Sequence, residues 1–72
     1  MTLTLEILEE IADTAQWTFE GAEEIGTSDV SCVIRSVLSA NGLPADDLSD
    51  IWWQLCRNAV TEGIWRNSPD ED

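Results

Sequence analysis

The chain has 72 residues, enough for one small domain, and 43% of them are apolar, a proportion typical of a folded chain. Fifteen Asp and Glu residues stand against three Arg, without Lys or His, so the formal net charge is −12. This balance excludes the basic footprint of a domain that binds nucleic acid directly and a polybasic contact with a membrane. It also removes the side chains that most acid–base and nucleophilic enzymes use, so we expect no catalytic activity and no cofactor.

The first ten residues carry no basic segment and reach an acid at Glu6, which argues against a signal peptide. No apolar run is long enough to cross a bilayer. Cys32 and Cys56 lack C-x-x-C spacing, and the chain has no histidine to join them in a zinc site. We therefore expect a cytoplasmic protein with free thiols, and a disulfide between two helices is the alternative.

The first predicted helix covers about residues 4–25, with Gly26 as its stop and Gly21 as a candidate kink. Its apolar residues recur with the period of an amphipathic helix, at Leu8, Ile11, Ala15, Phe19 and Ala22. Residues 2–7 also alternate with period two, so a short strand is the competing prediction there. We favour the helix, because the helical period continues for four more turns.

The second predicted helix covers about residues 29–41. It follows the capping oxygens of Thr27, Ser28 and Asp29 and ends at Asn41-Gly42. The third covers about residues 47–62, from a cap at Asp46, Asp47 or Ser49 to a stop at Gly63. Its core stripe is expected at Leu48, Ile51, Trp52, Leu55 and Ala59.

Three amphipathic helices joined by short loops predict an all-α fold, a single-domain three-helix bundle over residues 1–67. Residues 68–72 are expected to form a flexible acidic tail. Asp46, Asp47 and Asp50 do not match a calcium-loop pattern, so helix capping is favoured over a metal site. We expect Arg35, Arg57 and Arg66 to form intramolecular ion pairs and Cys32 to be exposed.

The carboxylates of the first predicted helix form a stripe opposite its apolar residues, with no cation between them. The stripe would span about 27 Å at 1.5 Å per residue. Its charge spacing of roughly 4 Å is close to the ~3.4 Å between phosphates of one DNA strand. We take it as the candidate partner-binding site, with Trp17 on the same side as a candidate anchor. Its acidic members are Glu6, Glu9, Glu10, Asp13, Glu20, Glu23 and Glu24.

This stripe favours a mimic of nucleic-acid charge. A plain solvated acidic face and adaptation to high salt are the alternatives. The third helix has a second apolar set, Trp53, Val60 and Ile64, on the side away from its predicted core stripe. Two interpretations stand for this set. Either the helix is central and contacts both other helices, or the set is an exposed patch for a partner or for self-association.

The size, acidity and helical make-up of the chain resemble the small anti-CRISPR proteins of phages and mobile elements, in particular inhibitors of type I systems such as type I-C. The resemblance is one of general character, so it assigns no role to any residue. It implies a stoichiometric inhibitor in the bacterial host cell that docks on the Lys/Arg-lined surface of a Cascade complex and blocks target DNA. The alternative is an acidic adaptor or antitoxin-like module that binds a protein through the apolar patch of the third helix.

Overall fold

The computed structural model describes residues 4–67, in which three helices form a bundle and no strand occurs. Helix α1 is Leu5–Thr18, α2 is Thr27–Ala40 and α3 is Asp50–Arg66, and a 3-10 turn at Ala45–Asp47 precedes α3. The all-α three-helix architecture predicted from the sequence is confirmed. The tail expected at 68–72 lies outside the described residues.

Helix α1 begins as a helix and ends earlier than its periodicity predicts. The hydroxyl of Thr4 accepts a hydrogen bond from the backbone N–H of Ile7 at 3.3 Å, which fixes the helix start. The predicted end near residue 25 is wrong. Gly21 adopts a positive φ of 78°, and the side-chain amide of Asn67 donates to the carbonyl of Gln16 at 2.6 Å. In a longer helix that carbonyl would accept from the backbone N–H of residue 20. The amide of Asn67, the residue after α3, supplies this hydrogen bond instead.

Helix α2 starts at Thr27 rather than near residue 29. Gly26 is its N-cap, not the end of the first helix as the sequence suggested. The carboxylate of Asp29 accepts from the backbone N–H of Gly26 at 3.0 Å and supports this start. The predicted stop at Asn41-Gly42 is confirmed, because Gly42 has a φ of 74° and the N–H of Leu43 donates to the carbonyl of Leu38 at 2.8 Å.

Helix α3 starts after Ser49, whose hydroxyl accepts from the N–H of Trp52 at 3.4 Å. The predicted stop at Gly63 is wrong, because the helix continues to Arg66. Gly63 is buried, and a Cβ there would overlap the carbonyl oxygen of Ala12 in α1. Its role is a close approach between two helices rather than a helix end.

Helices α1 and α3 run parallel and pack along each other, and α2 contacts both. Asp13 and Gln16 of α1 meet Arg66 and Asn67 at the end of α3, while Glu10 meets Asn41 at the end of α2. Apolar side chains from all three helices fill the space between them. The largest fully buried ones are Ile11, Ile34, Leu38, Cys56 and Val60.

The two faces of α3 largely reverse the prediction, although Leu48 and Ala59 of the predicted core stripe do pack against the core. In the predicted core stripe, Ile51 is 74% exposed, whereas Val60 of the predicted surface patch is 1% exposed. Trp53 and Ile64 are half-buried and pack against the core. Of the two interpretations, the central helix is therefore right, and Trp53, Val60 and Ile64 do not form a surface patch. A helix with two apolar stripes can bury either one, and α1 packs on the stripe that contains Gly63.

Candidate partner-binding surface

The seven predicted acidic site residues are exposed, but they do not share one helix. Four of them lie on α1, while three follow it in the loop at residues 19–26. The continuous helical stripe is therefore wrong as predicted, because α1 stops at Thr18. The helix carries Glu6, Glu9, Glu10 and Asp13, and the loop carries Glu20, Glu23 and Glu24.

Arg66, at the end of α3, partly neutralises the α1 carboxylates. Its guanidinium donates to Asp13 at 2.7 Å and to Glu9 at 3.3 Å, and it lies 3.9 Å from Glu62. The hydrogen bond that Arg66 donates to Asp13 raises the pKa of Arg66, which stays charged. The prediction of an uncompensated stripe is wrong at this point. The missing cation comes from a residue more than 50 positions away, which a helical wheel of α1 alone does not contain.

The remaining charge on α1 is short but dense. From Glu6 to Asp13 the helix rises about 10 Å. Four carboxylates less one guanidinium leave three net negative charges, or one per ~3.5 Å, close to the spacing of phosphates on a DNA strand. The local density that the sequence predicted is kept, while its length falls from about 27 Å to about 10 Å.

The loop after α1 carries three more exposed carboxylates, which are held by the anchors of the loop and not by a helix. Phe19 is buried and Ile25 packs against the core, so both ends of the loop are held. Glu20, Glu23 and Glu24 lie between these anchors and are exposed. This arrangement projects three carboxylates from the end of the bundle without the regular spacing of a helix.

Trp17 lies at the junction of the two acidic segments. It follows Asp13 by four positions and Glu10 by seven, so the three side chains share one face of α1. Its side chain is 70% exposed. Trp17 therefore presents an indole between the α1 carboxylates and those of the loop. We call the whole set, Glu6, Glu9, Glu10, Asp13, Trp17, Glu20, Glu23 and Glu24, the acidic surface.

The other arginines leave the acidic surface untouched. Arg35 pairs with Asp46 at 2.9 Å and stacks over the Trp53 ring at 5.8 Å, as the prediction of internal ion pairs required. For Arg57 that prediction is wrong within residues 4–67, where no carboxylate lies within 4.0 Å. Every carboxylate in the described part of the chain is exposed, so the fold keeps nearly all of the negative charge at the surface.

A second surface, on the outer side of α3, was not predicted. Its residues Ile51, Trp52, Leu55 and Trp65 are large, apolar and exposed. Leu5 of α1 is exposed beside them and lines a groove of about 240 Å³ together with Leu55 and Ala59. The signal was present in the sequence, because a second stripe with spacing four, three, four, three runs along the helix. Its positions are Ile51, Leu55, Asn58, Glu62 and Trp65.

Both cysteines are free thiols. Cys32 is exposed on α2, as expected, and Cys56 is fully buried in the core. Burial raises the pKa of the Cys56 thiol. Within residues 4–67, no three His, Cys, Asp or Glu side chains gather as a metal site would require. No helix in that part of the chain is both long and apolar enough to cross a bilayer.

Family models, curated proteins and solved structures were each compared with the chain, and none of them matches it.

Proposed function

We propose that this domain is a non-enzymatic inhibitor that occupies a basic nucleic-acid-binding surface of another protein through its acidic surface. The observation that carries the proposal is the exposed indole of Trp17 between two groups of exposed carboxylates. Carboxylates at near-phosphate spacing supply the field that a Lys/Arg-lined channel attracts. An indole supplies a flat apolar anchor of the kind found at binding hot spots.

Association of such a pair is driven by long-range charge. A chain with a net charge of −12 is steered toward a basic cleft, so the association rate is high in dilute salt and falls as salt rises. The acidic surface also loses little conformational entropy when it binds. Arg66 holds Glu9 and Asp13 in place, and the buried Phe19 ties the loop to the core.

The first partner to test is the Cascade complex of a type I CRISPR–Cas system, type I-C in particular, which the general character of the chain suggests. The inhibitor would dock where target DNA binds and would compete with it directly. Competition of this kind predicts that inhibitor and DNA exclude each other from the complex.

The test is displacement of labelled target DNA from purified Cascade by the full chain. Glu10→Arg with Glu20→Arg reverses two charges of the acidic surface. Because like charges across an interface cost several kcal/mol, we expect at least a tenfold weaker displacement, with ~1.4 kcal/mol for each factor of ten. The matched control is Asp47→Arg with Asp50→Arg, which changes the net charge equally at exposed sites beside the start of α3.

Circular dichroism of both variants must show the parent helix content. Equal displacement by the Glu10/Glu20 variant and the parent would contradict the proposal, and so would equal losses in both variants. The alternative function, an adaptor or antitoxin-like module, predicts binding that salt hardly changes. It would use the outer side of α3, where the exposed residues are Ile51, Leu55 and Trp65 rather than the predicted Trp53, Val60 and Ile64.

A further inference from the structure

The outer side of α3 carries a regular stripe of side chains that is not buried within the bundle. We propose that it is a self-association surface on which a second copy of this chain packs, with the two α3 helices antiparallel and Asn58 beside the two-fold axis.

The first argument is the spacing of the stripe. Ile51, Leu55, Asn58, Glu62 and Trp65 follow one another at intervals of four, three, four and three residues. This is the repeat by which one helix packs along another. The opposite side of α3 already packs within the bundle through Cys56, Val60 and Gly63. Helix α3 therefore has a second packing face with no partner inside residues 4–67.

The second argument is charge. Two copies with a net charge of −12 repel each other over most of their surfaces. From Ile51 to Thr61, however, α3 has no carboxylate and one arginine, Arg57, which has no carboxylate partner within the described residues. The outer side of α2 is also poor in carboxylates, but it presents small polar side chains such as Ser36 and Ser39. The α3 side is where a second copy gains apolar contact with little repulsion, since the one carboxylate of the stripe, Glu62, lies 3.9 Å from Arg66 of its own chain.

The third argument is area. Trp52 and Trp65, 36% and 72% exposed, leave about 200 Å² of aromatic surface at roughly 200 Å² for each indole side chain. Leu5, Ile51 and Leu55 add a similar amount at ~100 Å² for each aliphatic side chain. A stable interface buries ~800 Å² on each partner, of which somewhat more than half is apolar. The apolar surface of this face is thus what one side of such an interface needs.

The fourth argument fixes the direction. Asn58 lies seven residues from both Ile51 and Trp65, so antiparallel packing about Asn58 brings Ile51 level with Trp65 of the second copy at both ends. The direction also follows from the one carboxylate in the stripe. A parallel pair would set Glu62 against Glu62 of the second copy, whereas the antiparallel pair sets it level with the neutral Gln54. Asn58 already accepts from Gln54 at 3.1 Å, which leaves its amide N–H groups free to donate across the axis.

The test is a disulfide across the axis. In a Cys32→Ser background, Asn58→Cys places a thiol where two copies of the same residue meet. Within a dimer the effective thiol concentration is in the millimolar range, so at ~10 µM protein the cross-link forms at least about tenfold faster than by random collision. The matched control is Ser39→Cys in the same background, also exposed but on α2. Products are followed on non-reducing gels under mild oxidation.

Sedimentation of the unmodified chain gives an independent measurement. We expect a dimer that strengthens as salt rises, because screening removes the repulsion between copies and leaves the apolar contact. Ile51→Glu with Trp65→Glu should give a monomer with unchanged helix content, since both residues are exposed. A monomeric parent at high salt overturns the proposal, as does cross-linking of Asn58→Cys no faster than the control. A Trp65→Cys variant that cross-links faster than Asn58→Cys overturns the antiparallel arrangement.

Discussion

Helices α1 and α3 lie side by side and share one core, but their outer sides are opposites. The outer side of α1 presents four carboxylates and Trp17. That of α3 presents Ile51, Leu55 and Trp65, with no carboxylate between Ile51 and Thr61. The contrast shows how a domain of 72 residues can carry two distinct surfaces. Its charge is concentrated on one helix and the loop after it, while a neighbouring helix stays nearly neutral and remains open to a different kind of contact.

The largest expected effect comes from breaking the contact on which both surfaces depend. Gly63→Ala places a Cβ against the carbonyl oxygen of Ala12, which is helix backbone and cannot move aside. Overpacking of this kind costs about 3 kcal/mol, a large part of the stability of so small a domain. Urea unfolding followed by circular dichroism measures the loss.

Gly21→Ala is the matched control for that substitution. A Cβ on Gly21 meets nothing within 4 Å, and only its φ of 78° is unfavourable for alanine. The expected cost is about 1 kcal/mol. Equal losses in the two variants would show that the close approach of α1 and α3 does not limit stability.

The next largest effect comes from removing one tryptophan from each of the two surfaces. Trp17→Ala should weaken partner binding by about 2 kcal/mol or more, as at other tryptophan hot spots, and leave self-association unchanged. Trp65→Ala should weaken self-association and leave displacement of DNA unchanged. Both residues are mostly exposed, so both variants should keep the parent stability within ~0.5 kcal/mol. If either variant impaired both activities, the two surfaces would not be independent.

A smaller effect tests the cation between the two helices. Arg66→Gln removes the partner of Glu9 and Asp13 and leaves four repelling carboxylates on α1. Thermal unfolding should show a lower Tm, with a larger decrease in dilute buffer than in salt near 1 M, where the Debye length is only ~3 Å. Arg57→Gln removes the same charge from a residue with no carboxylate within 4.0 Å in the described part of the chain, and should leave Tm nearly unchanged.

The smallest effect is a loss of stability at alkaline pH. Burial raises the pKa of Cys56, so the folded chain keeps a proton that the unfolded chain releases once the pH passes the ordinary thiol value of 9.0. Stability is therefore complete below that pH and declines above it. The chain has no Lys or Tyr side chain to titrate in the same range. In a Cys32→Ser background, the urea midpoint should fall with rising pH, and Cys56→Ala should remove the slope.

Sequence reasoning succeeded where structure is determined locally. The C-terminal stop of α2 at Asn41-Gly42 and the cap of α3 at Ser49, one of the three residues predicted for it, follow from residues within a few positions, and both are found. It failed where α3 acts on α1. The end of α1 depends on Asn67, and its charge depends on Arg66, which are both about 50 residues away.

The error in the faces of α3 has a different cause. Helical spacing fits two apolar stripes on this helix, one with Ile51 and Leu55 and one with Val60 and Ile64, and spacing alone does not say which of them is buried. The bundle instead centres the contact with α1 on Gly63, which lets α1 approach closely at Ala12. This glycine, which the sequence suggested as a helix stop, was the available signal for the contact.

The hydrogen bonds from Arg66 and Asn67 to α1 mean that the helical form of α1 requires the rest of the bundle. A peptide of α1 alone has 14 residues, lacks these two partners and carries four carboxylates that repel one another. Such a peptide should be a random coil in water, and its carboxylates would have to be ordered at the moment of binding. Helix α1 therefore cannot be excised or grafted as an independent charged element; it becomes a rigid helix only after α3 has been made and has packed beside it.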